Sequence, residues 1–149
     1  MLGTITRKLP TMVDYRNHVE NGSMLNTPPV FSIYVCMLTL RWLKQQGGVD
    51  GIEKINNQKA ELLYNTLDSL PVFYPTVQKK DRSKMNVVFV MEDSALEKEF
   101  LDLCKREGMV GIKGHRSVGG FRVSMYNAMP LSSVEVVCNV MKDFAKSHG

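Results

Sequence analysis

The chain has 149 residues, 44% of them hydrophobic and 23% charged, with a formal net charge of +4, an ordinary composition for a soluble globular domain or part of a larger one. The basic residues form no long run, and the densest cluster, Lys79, Lys80, Arg82 and Lys84, is broken by Asp81, which argues against a nucleic-acid partner. Cys36, Cys104 and Cys138 are odd in number and set in apolar helical patterns, which predicts buried free thiols and neither disulfides nor a zinc site.

In chain order, residues 1–25 show no sustained period and are scattered with Pro, Gly and polar side chains. The expectation is an irregular segment, 1–26, leading in from a missing part of a longer chain, with a domain over 27–149. "NTPPVFSIYVCMLTLRWLKQQGG" then reads as a helix, with Thr27 as N-cap, Pro28 in the first turn, and Gly47 and Gly48 at its end. Apolar nearly all round, it is expected to be buried. Its apolar stretch is too short, and too interrupted by Ser32, Thr39 and Arg41, to span a bilayer, and no signal-peptide core precedes it. No membrane partner and a cytoplasmic location are expected. A second helix carries Ile52, Ile55, Leu62, Leu63, Leu67 and Leu70 as a stripe and stops at Pro71.

Beyond Pro71 the pattern turns to strands. "VFYPTV" is a short edge candidate because of Pro75, and "SKMNVVFVM" is a stronger strand. Ser94 and Glu97 suggest a capping box for a helix whose Leu96, Phe100, Leu103 and Cys104 face inward and which Gly108 stops. "MVGIK" and "FRVSMYN" read as short strands flanking a glycine loop. Ser132 and Glu135 suggest the cap of a last helix with Val137, Val140, Met141 and Phe144 on one face. The predicted fold is an α+β layer structure: helices on one face of a small, antiparallel sheet.

Two constellations carry chemistry. In "KGHRSVGGFRVSMYN" the cations Lys113, His115, Arg116 and Arg122 surround glycines, with no acidic residue between Glu107 and Glu135. Gly114, Gly119 and Gly120 allow positive φ and close approach to a ligand, and the arginines offer planar forks for carboxylate or phosphate. Alternation puts Phe121, Val123 and Met125 on one face of the strand and Arg122, Ser124 and Tyr126 on the other. The pattern suits an anion receptor, but on composition alone the readier reading is a hairpin whose arginines lie in solvent. In "NGSMLNTPP", Asn26 and Thr27 offer two side chains and two amides to an anion at a helix start, Pro28 and Pro29 having no N–H. The alternative is an ordinary N-cap and turn.

"NGSMLNTPPVFSIYV", "WLKQQGGVDGIEKINNQKAELLY", "RSKMNVVFV" and "GIKGHRSVGGFRVSMYNAMPL" resemble, in order and spacing, the C-terminal part of the phosphoserine aminotransferase family. These are fold-type I homodimers that use pyridoxal 5'-phosphate (PLP) in serine biosynthesis. The resemblance implies that the chain is a fold-type I small domain preceded by a large PLP domain. It implies amino transfer between glutamate and 3-phosphohydroxypyruvate, giving phosphoserine and 2-oxoglutarate; many members also act in vitamin B6 synthesis. It places Asn26 and Thr27 at the PLP phosphate of the other subunit, His115 and Arg116 at the substrate phosphate and Arg122 at the substrate α-carboxylate; Lys113 takes no role. The family's Schiff-base lysine lies in a Gln-Lys stretch followed by Gly-Pro. Neither Gln58-Lys59 nor Gln78-Lys79 has that sequel, so the chain by itself is expected to be inactive and to hold no catalytic residue. The rival readings are the small domain of another fold-type I enzyme and a free-standing anion-binding module.

Overall fold

The computed structural model describes residues 7–148. They divide into two compact units, Met1–Gln45 and Gln46–Gly149, a division 19 residues beyond the 26/27 boundary expected from sequence. In the first unit, residues 7–26 are less irregular than expected. Thr11–Val13 forms a 3₁₀ turn and Tyr15–Glu20 a short helix, α1. Asp14 caps α1, its carboxylate accepting from the Arg16 N–H and pairing with the Arg16 guanidinium at 2.6 Å. A helix of six residues is too short to register as a period in sequence.

Helix α2 spans Val30–Gln45 and departs most from expectation. None of its residues is buried, and Phe31 is 79% exposed, with Val30, Ile33, Tyr34 and Leu40 also open. Cys36, expected to be a buried thiol, is exposed with it. An apolar helix needs apolar surface on every side to be buried, and the described residues do not supply it. Helix α2 also starts later than expected, so Thr27 is not its N-cap; the Ile33 N–H closes onto the Pro29 carbonyl at 3.1 Å.

The second unit follows the α+β prediction. Helix α3 (Gly48–Ser69) is followed by strands β1 (Phe73–Pro75) and β2 (Asn86–Met91), helix α4 (Glu97–Arg106), strand β3 (Phe121–Ser124) and helix α5 (Leu131–His148). The sheet is antiparallel in the order β1-β2-β3, with Phe73 opposite Met91 and Val88 opposite Arg122. Strict alternation buries Val87, Phe89, Met91, Phe121 and Val123 on one face. Against them, α3 contributes Leu63 and Leu67, α4 Phe100, and α5 Met141 and Phe144, in one apolar core. Phe100 stands edge-on to Phe73, Phe121 and Phe144, with ring centroids 5.0–5.2 Å apart, geometry favoured by the ring quadrupole. Cys104 and Cys138 are buried there, and desolvation pushes the Cys104 thiol up to about 11.

Three local expectations are corrected. "MVGIK" is no strand: Gly108 and Gly111 take positive φ on either side of Met109 and Val110, and the segment touches the sheet through one bridge, Lys113 to Phe121, and the Arg122 N–H bond to the Ile112 carbonyl. Ser94 does not cap α4. Asp93 accepts the Ala95 N–H at 2.8 Å, and residues 94–96 form a 3₁₀ turn before α4. Ser132 lies inside α5, whose first turn is closed by the Pro130 carbonyl.

The glycine loop before β3 is closed by the Gly114 N–H bond to the Gly120 carbonyl at 2.8 Å. Gly119 and Gly120 take the positive φ expected of them, whereas Gly114 does not. Gly114 is needed for space: a Cβ there would overlap the Gly119 carbonyl. At Gly120 (φ +60°) a Cβ would lie 2.6 Å from the Phe89 carbonyl, while at Gly119 (φ +79°) it would meet open space. Gly119→Ala should therefore cost about 1–2 kcal/mol, the ordinary penalty of a left-handed residue. Gly120→Ala should cost about 1–3 kcal/mol more for the overlap with β2. Urea unfolding of the two variants measures the difference, and equal losses would show that β2 and the loop separate without penalty.

Candidate functional site

Strand β3 sets the geometry of the predicted anion site. Phe121, Val123 and Met125 are buried, so Arg122 between the first two is forced to the opposite, open face of the sheet. Its backbone is held on both sides, by pairing with Val88 and by the 2.7 Å bond to the Ile112 carbonyl. Arg122 thus stands on a fixed strand and is among the residues lining a cleft of about 590 Å3, with Gly111, Ile112, Ser124, Ser133 and the acidic Glu107, which forms no ion pair with it. His115 and Arg116 sit on the same hairpin, exposed at its apex. The apex is a tight turn in which the Val118 and Gly119 N–H groups both donate to the His115 carbonyl.

The His115 ring is oriented. Its Nδ1 lies 2.6 Å from Ser117 Oγ and accepts the Ser117 backbone N–H at 3.3 Å. With the Ser117 amide donating to it, Nδ1 serves as acceptor, and the tautomer that matches this geometry carries its N–H at Nε2. None of the ion pairs among the described residues involves Lys113, Arg116 or Arg122. Two guanidiniums elsewhere are neutralised, Arg16 by Asp14 and Arg82 by Asp68 at 2.6 Å while covering the Tyr64 ring; Arg41 and Arg106, like the hairpin cations, enter no ion pair among the described residues. The hairpin cations form a positive site without a counter-charge, suited to an anion with two acidic ends.

Sequence reasoning missed what lies beneath this strand. The Lys59 side chain is completely buried in the apolar face of α3, and its ammonium donates to the carbonyls of Met125, Tyr126 and Met129 at 3.1, 2.9 and 3.1 Å. Desolvation lowers its pKa below the ordinary lysine value. One turn earlier, Asn56 donates to the Asn127 side chain at 2.9 Å. The signal was present in the sequence: Asn56 and Lys59 fall four and seven residues after Ile52, on the apolar stripe.

Asn26 and Thr27 belong to the first unit and are exposed. The Asn26 side-chain amide donates to the Thr27 carbonyl at 3.1 Å, while among the described residues the two backbone amides have no acceptor. Free amides and a hydroxyl fit the phosphate of PLP. The two lysines in Gln-Lys pairs do not fit its reactive carbonyl. Lys59 is enclosed and saturated, and Lys79 is exposed and pairs with Asp68 at 3.4 Å.

Residues 1–137 match the family model described as aminotransferase class-V. The chain is 51% identical over 150 aligned positions to phosphoserine aminotransferase of Porphyromonas gingivalis, covering 99% of this chain and 42% of that protein. Among solved structures, phosphoserine aminotransferase from Bacillus circulans subsp. alkalophilus aligns with a TM-score of 0.85 at 43% identity, over 95% of this chain and 39% of that one. The PLP-bound phosphoserine aminotransferase from Trichomonas vaginalis aligns with a TM-score of 0.78 at 35% identity, over 93% of this chain and 40% of that one. The chain therefore spans about two fifths of the length of the relatives it matches. With a family match over residues 1–137 and an antiparallel α+β unit that aligns with those solved structures, the chain belongs to the class-V aminotransferases.

Proposed function

We propose that the chain is the C-terminal part of a phosphoserine aminotransferase, which moves an amino group between glutamate and 3-phosphohydroxypyruvate to give phosphoserine and 2-oxoglutarate. One observation carries the reading: His115, Arg116 and Arg122 share a single hairpin with no acidic partner, in a chain about half identical throughout to enzymes of that name. Each residue then has one task. Arg122, fixed on β3, presents its fork to the α-carboxylate common to glutamate and phosphoserine. Arg116 and the Nε2–H of His115 take the phosphate. Asn26 and Thr27 hold the cofactor phosphate across the interface of a homodimer. PLP, when bound, supplies the electron sink of the reaction; this chain's residues bind and orient the substrate. The exposed apolar face of α2 supports a larger parent in which it is covered, in keeping with a domain over 27–149 that follows a large PLP-binding region. A cytoplasmic location goes with this reading, and no helix among the described residues is long and apolar enough to cross a membrane.

Because both candidate lysines are engaged elsewhere, the chain alone should not capture PLP. After incubation with PLP and reduction by borohydride, mass spectrometry should find no single stoichiometric pyridoxyl-lysine. Finding one, with glutamate-dependent turnover, would mean that a catalytic lysine lies within this chain. In the complete dimer, Thr27→Val should weaken PLP retention by about 1–3 kcal/mol, the range for a hydrogen bond to a charged group; unchanged retention would leave Thr27 a turn residue.

The two ends of the substrate are separable in the complete enzyme. Arg122→Ala should reduce single-turnover kcat/KM for glutamate and for phosphoserine alike, by about 2–5 kcal/mol, the cost of truncating one partner of a desolvated charge pair. Arg116→Ala should harm phosphoserine more than glutamate, since a doubly charged phosphate loses more than a γ-carboxylate when one guanidinium goes. Equal losses from Arg116→Ala would replace the phosphate assignment with another aminotransferase of the same fold. Wild-type values in both variants would make the loop an anion-binding module's hairpin or a plain turn.

A further inference from the structure

A buried ammonium with no carboxylate beside it needs an explanation. Lys59 contributes no surface, and its position on the apolar face of α3 is one that a leucine would fill. It faces three main-chain carbonyls, all from the five residues after β3. Met125 is the first residue beyond that strand, its side chain fully buried and its N–H bonded to the Met85 carbonyl at 2.8 Å. Residues 126–129 form a turn closed by the Met129 N–H bond to the Tyr126 carbonyl at 2.8 Å, and α5 begins at Leu131. Three carbonyls converging on one point repel one another, and although that of Tyr126 also accepts the Met129 N–H, those of Met125 and Met129 have no other donor among the described residues. The ammonium, with three N–H donors, satisfies all of them at once. Asn56 ties the same turn a second time through Asn127.

The consequence reaches the open face of the sheet. Arg122 lies three residues before the first of these carbonyls, on a strand only four residues long. β3 is an edge strand of the sheet, since the 109–113 segment meets it through a single bridge and one bond. A short edge strand holds its register only as firmly as its ends are held. The N-terminal end is held by the glycine loop; at the C-terminal end the Met125 N–H bond to the Met85 carbonyl ties the strand to β2, and Lys59 holds the carbonyls that follow it.

We propose that Lys59 is a positioning residue for substrate binding: by gathering the Met125, Tyr126 and Met129 carbonyls it fixes the end of β3 and so the placement of the Arg122 guanidinium toward the substrate carboxylate. This rests on Arg122 being the carboxylate arginine, as proposed above. Lys59 touches no substrate, and its effect runs through the strand.

The test uses the complete enzyme and the variants Lys59→Met and Lys59→Gln, assayed well below their thermal midpoints. Lys59→Met should raise KM for glutamate and for phosphoserine by about tenfold or more, with kcat within about threefold of wild type. Dissociation constants for 2-oxoglutarate should rise in step, while PLP retention stays unchanged. Lys59→Gln, which keeps two N–H donors, should fall between and serves as the variant if Lys59→Met does not fold. Because Lys59 acts through Arg122, the double variant Lys59→Met/Arg122→Ala should bind no worse than Arg122→Ala alone, whereas Lys59→Met and Arg116→Ala should combine additively. A folded variant with a lowered midpoint and wild-type KM would show that Lys59 only fills and braces the core, and would overturn the inference. If Arg122→Ala itself binds glutamate as wild type does, the carboxylate assignment fails instead, and the two failures are distinct.

Discussion

A charge in an apolar core must be answered by dipoles or by an opposite charge, and in the second unit the answer is three backbone carbonyls around one lysine ammonium. Desolvating the cation is expensive, and three short hydrogen bonds to it, each stronger than a neutral one, offset that cost only if their carbonyls stay in place. The constraint works in both directions. The lysine needs the turn at 125–129, and the turn is held by the lysine, because three of its carbonyls converge on the ammonium. Through this contact α3, the end of β3 and the start of α5 are tied at one point, over the same core in which Phe100 meets Phe73, Phe121 and Phe144. An apolar residue at position 59 could fill the volume but would leave the Met125 and Met129 carbonyls without a donor among the described residues.

On the other side of the same strand, the balance is reversed. Among the described residues Arg116 and Arg122 have no ion-pair partner, and both are exposed, where a guanidinium is hydrated and costs the fold little. What the fold supplies to them is position. Glycine at 120 lets the loop come against β2, glycine at 114 lets the loop close on itself, and the buried Phe121 and Val123 leave Arg122 a single direction. Orienting a binding group before the ligand arrives lowers the entropy lost on binding. Donors with no internal acceptor are also free to gain the whole of the interaction with a dianionic ligand.

Sequence made some of this legible and hid the rest for definite reasons. The alternation at 121–126 was readable because one face of the sheet is buried and the other open, which is the case a period of two reports. The stripe of α3 and the stops at Pro71 and Gly108 were readable for similar reasons, since each is a local rule with one outcome. Caps were misplaced by one or two residues: Asp93 and Ser94 are adjacent and satisfy the same side-chain rule, while before α5 the first turn closes on the Pro130 backbone carbonyl, which no side-chain rule reports. The supposed strand at 109–113 has the right apolar content, but the glycines at 108 and 111 break its extension. The residues of the anion hairpin left two readings open, and it is the resemblance to a family that favours the receptor.

Helix α2 and Lys59 mark the deeper limit, and they fail in opposite senses. Hydrophobicity reports that a surface prefers to leave water; it does not say that the partner surface lies in the same stretch of chain. Phe31, Ile33 and Leu40 read as core and are exposed. A lysine, conversely, reads as surface because burying an unanswered cation is prohibitive, and nothing in a local pattern announces three carbonyls 66 to 70 residues further along the chain. Both errors come from treating a side chain's preference as if it were settled by its neighbours in sequence. The stripe on which Lys59 sits held the remedy. A charged residue at an apolar position of a strong helical period is a statement that distant acceptors exist, and the economical place for them is the irregular turn where backbone groups have lost their ladder partners. In this fold that turn closes the strand that carries Arg122.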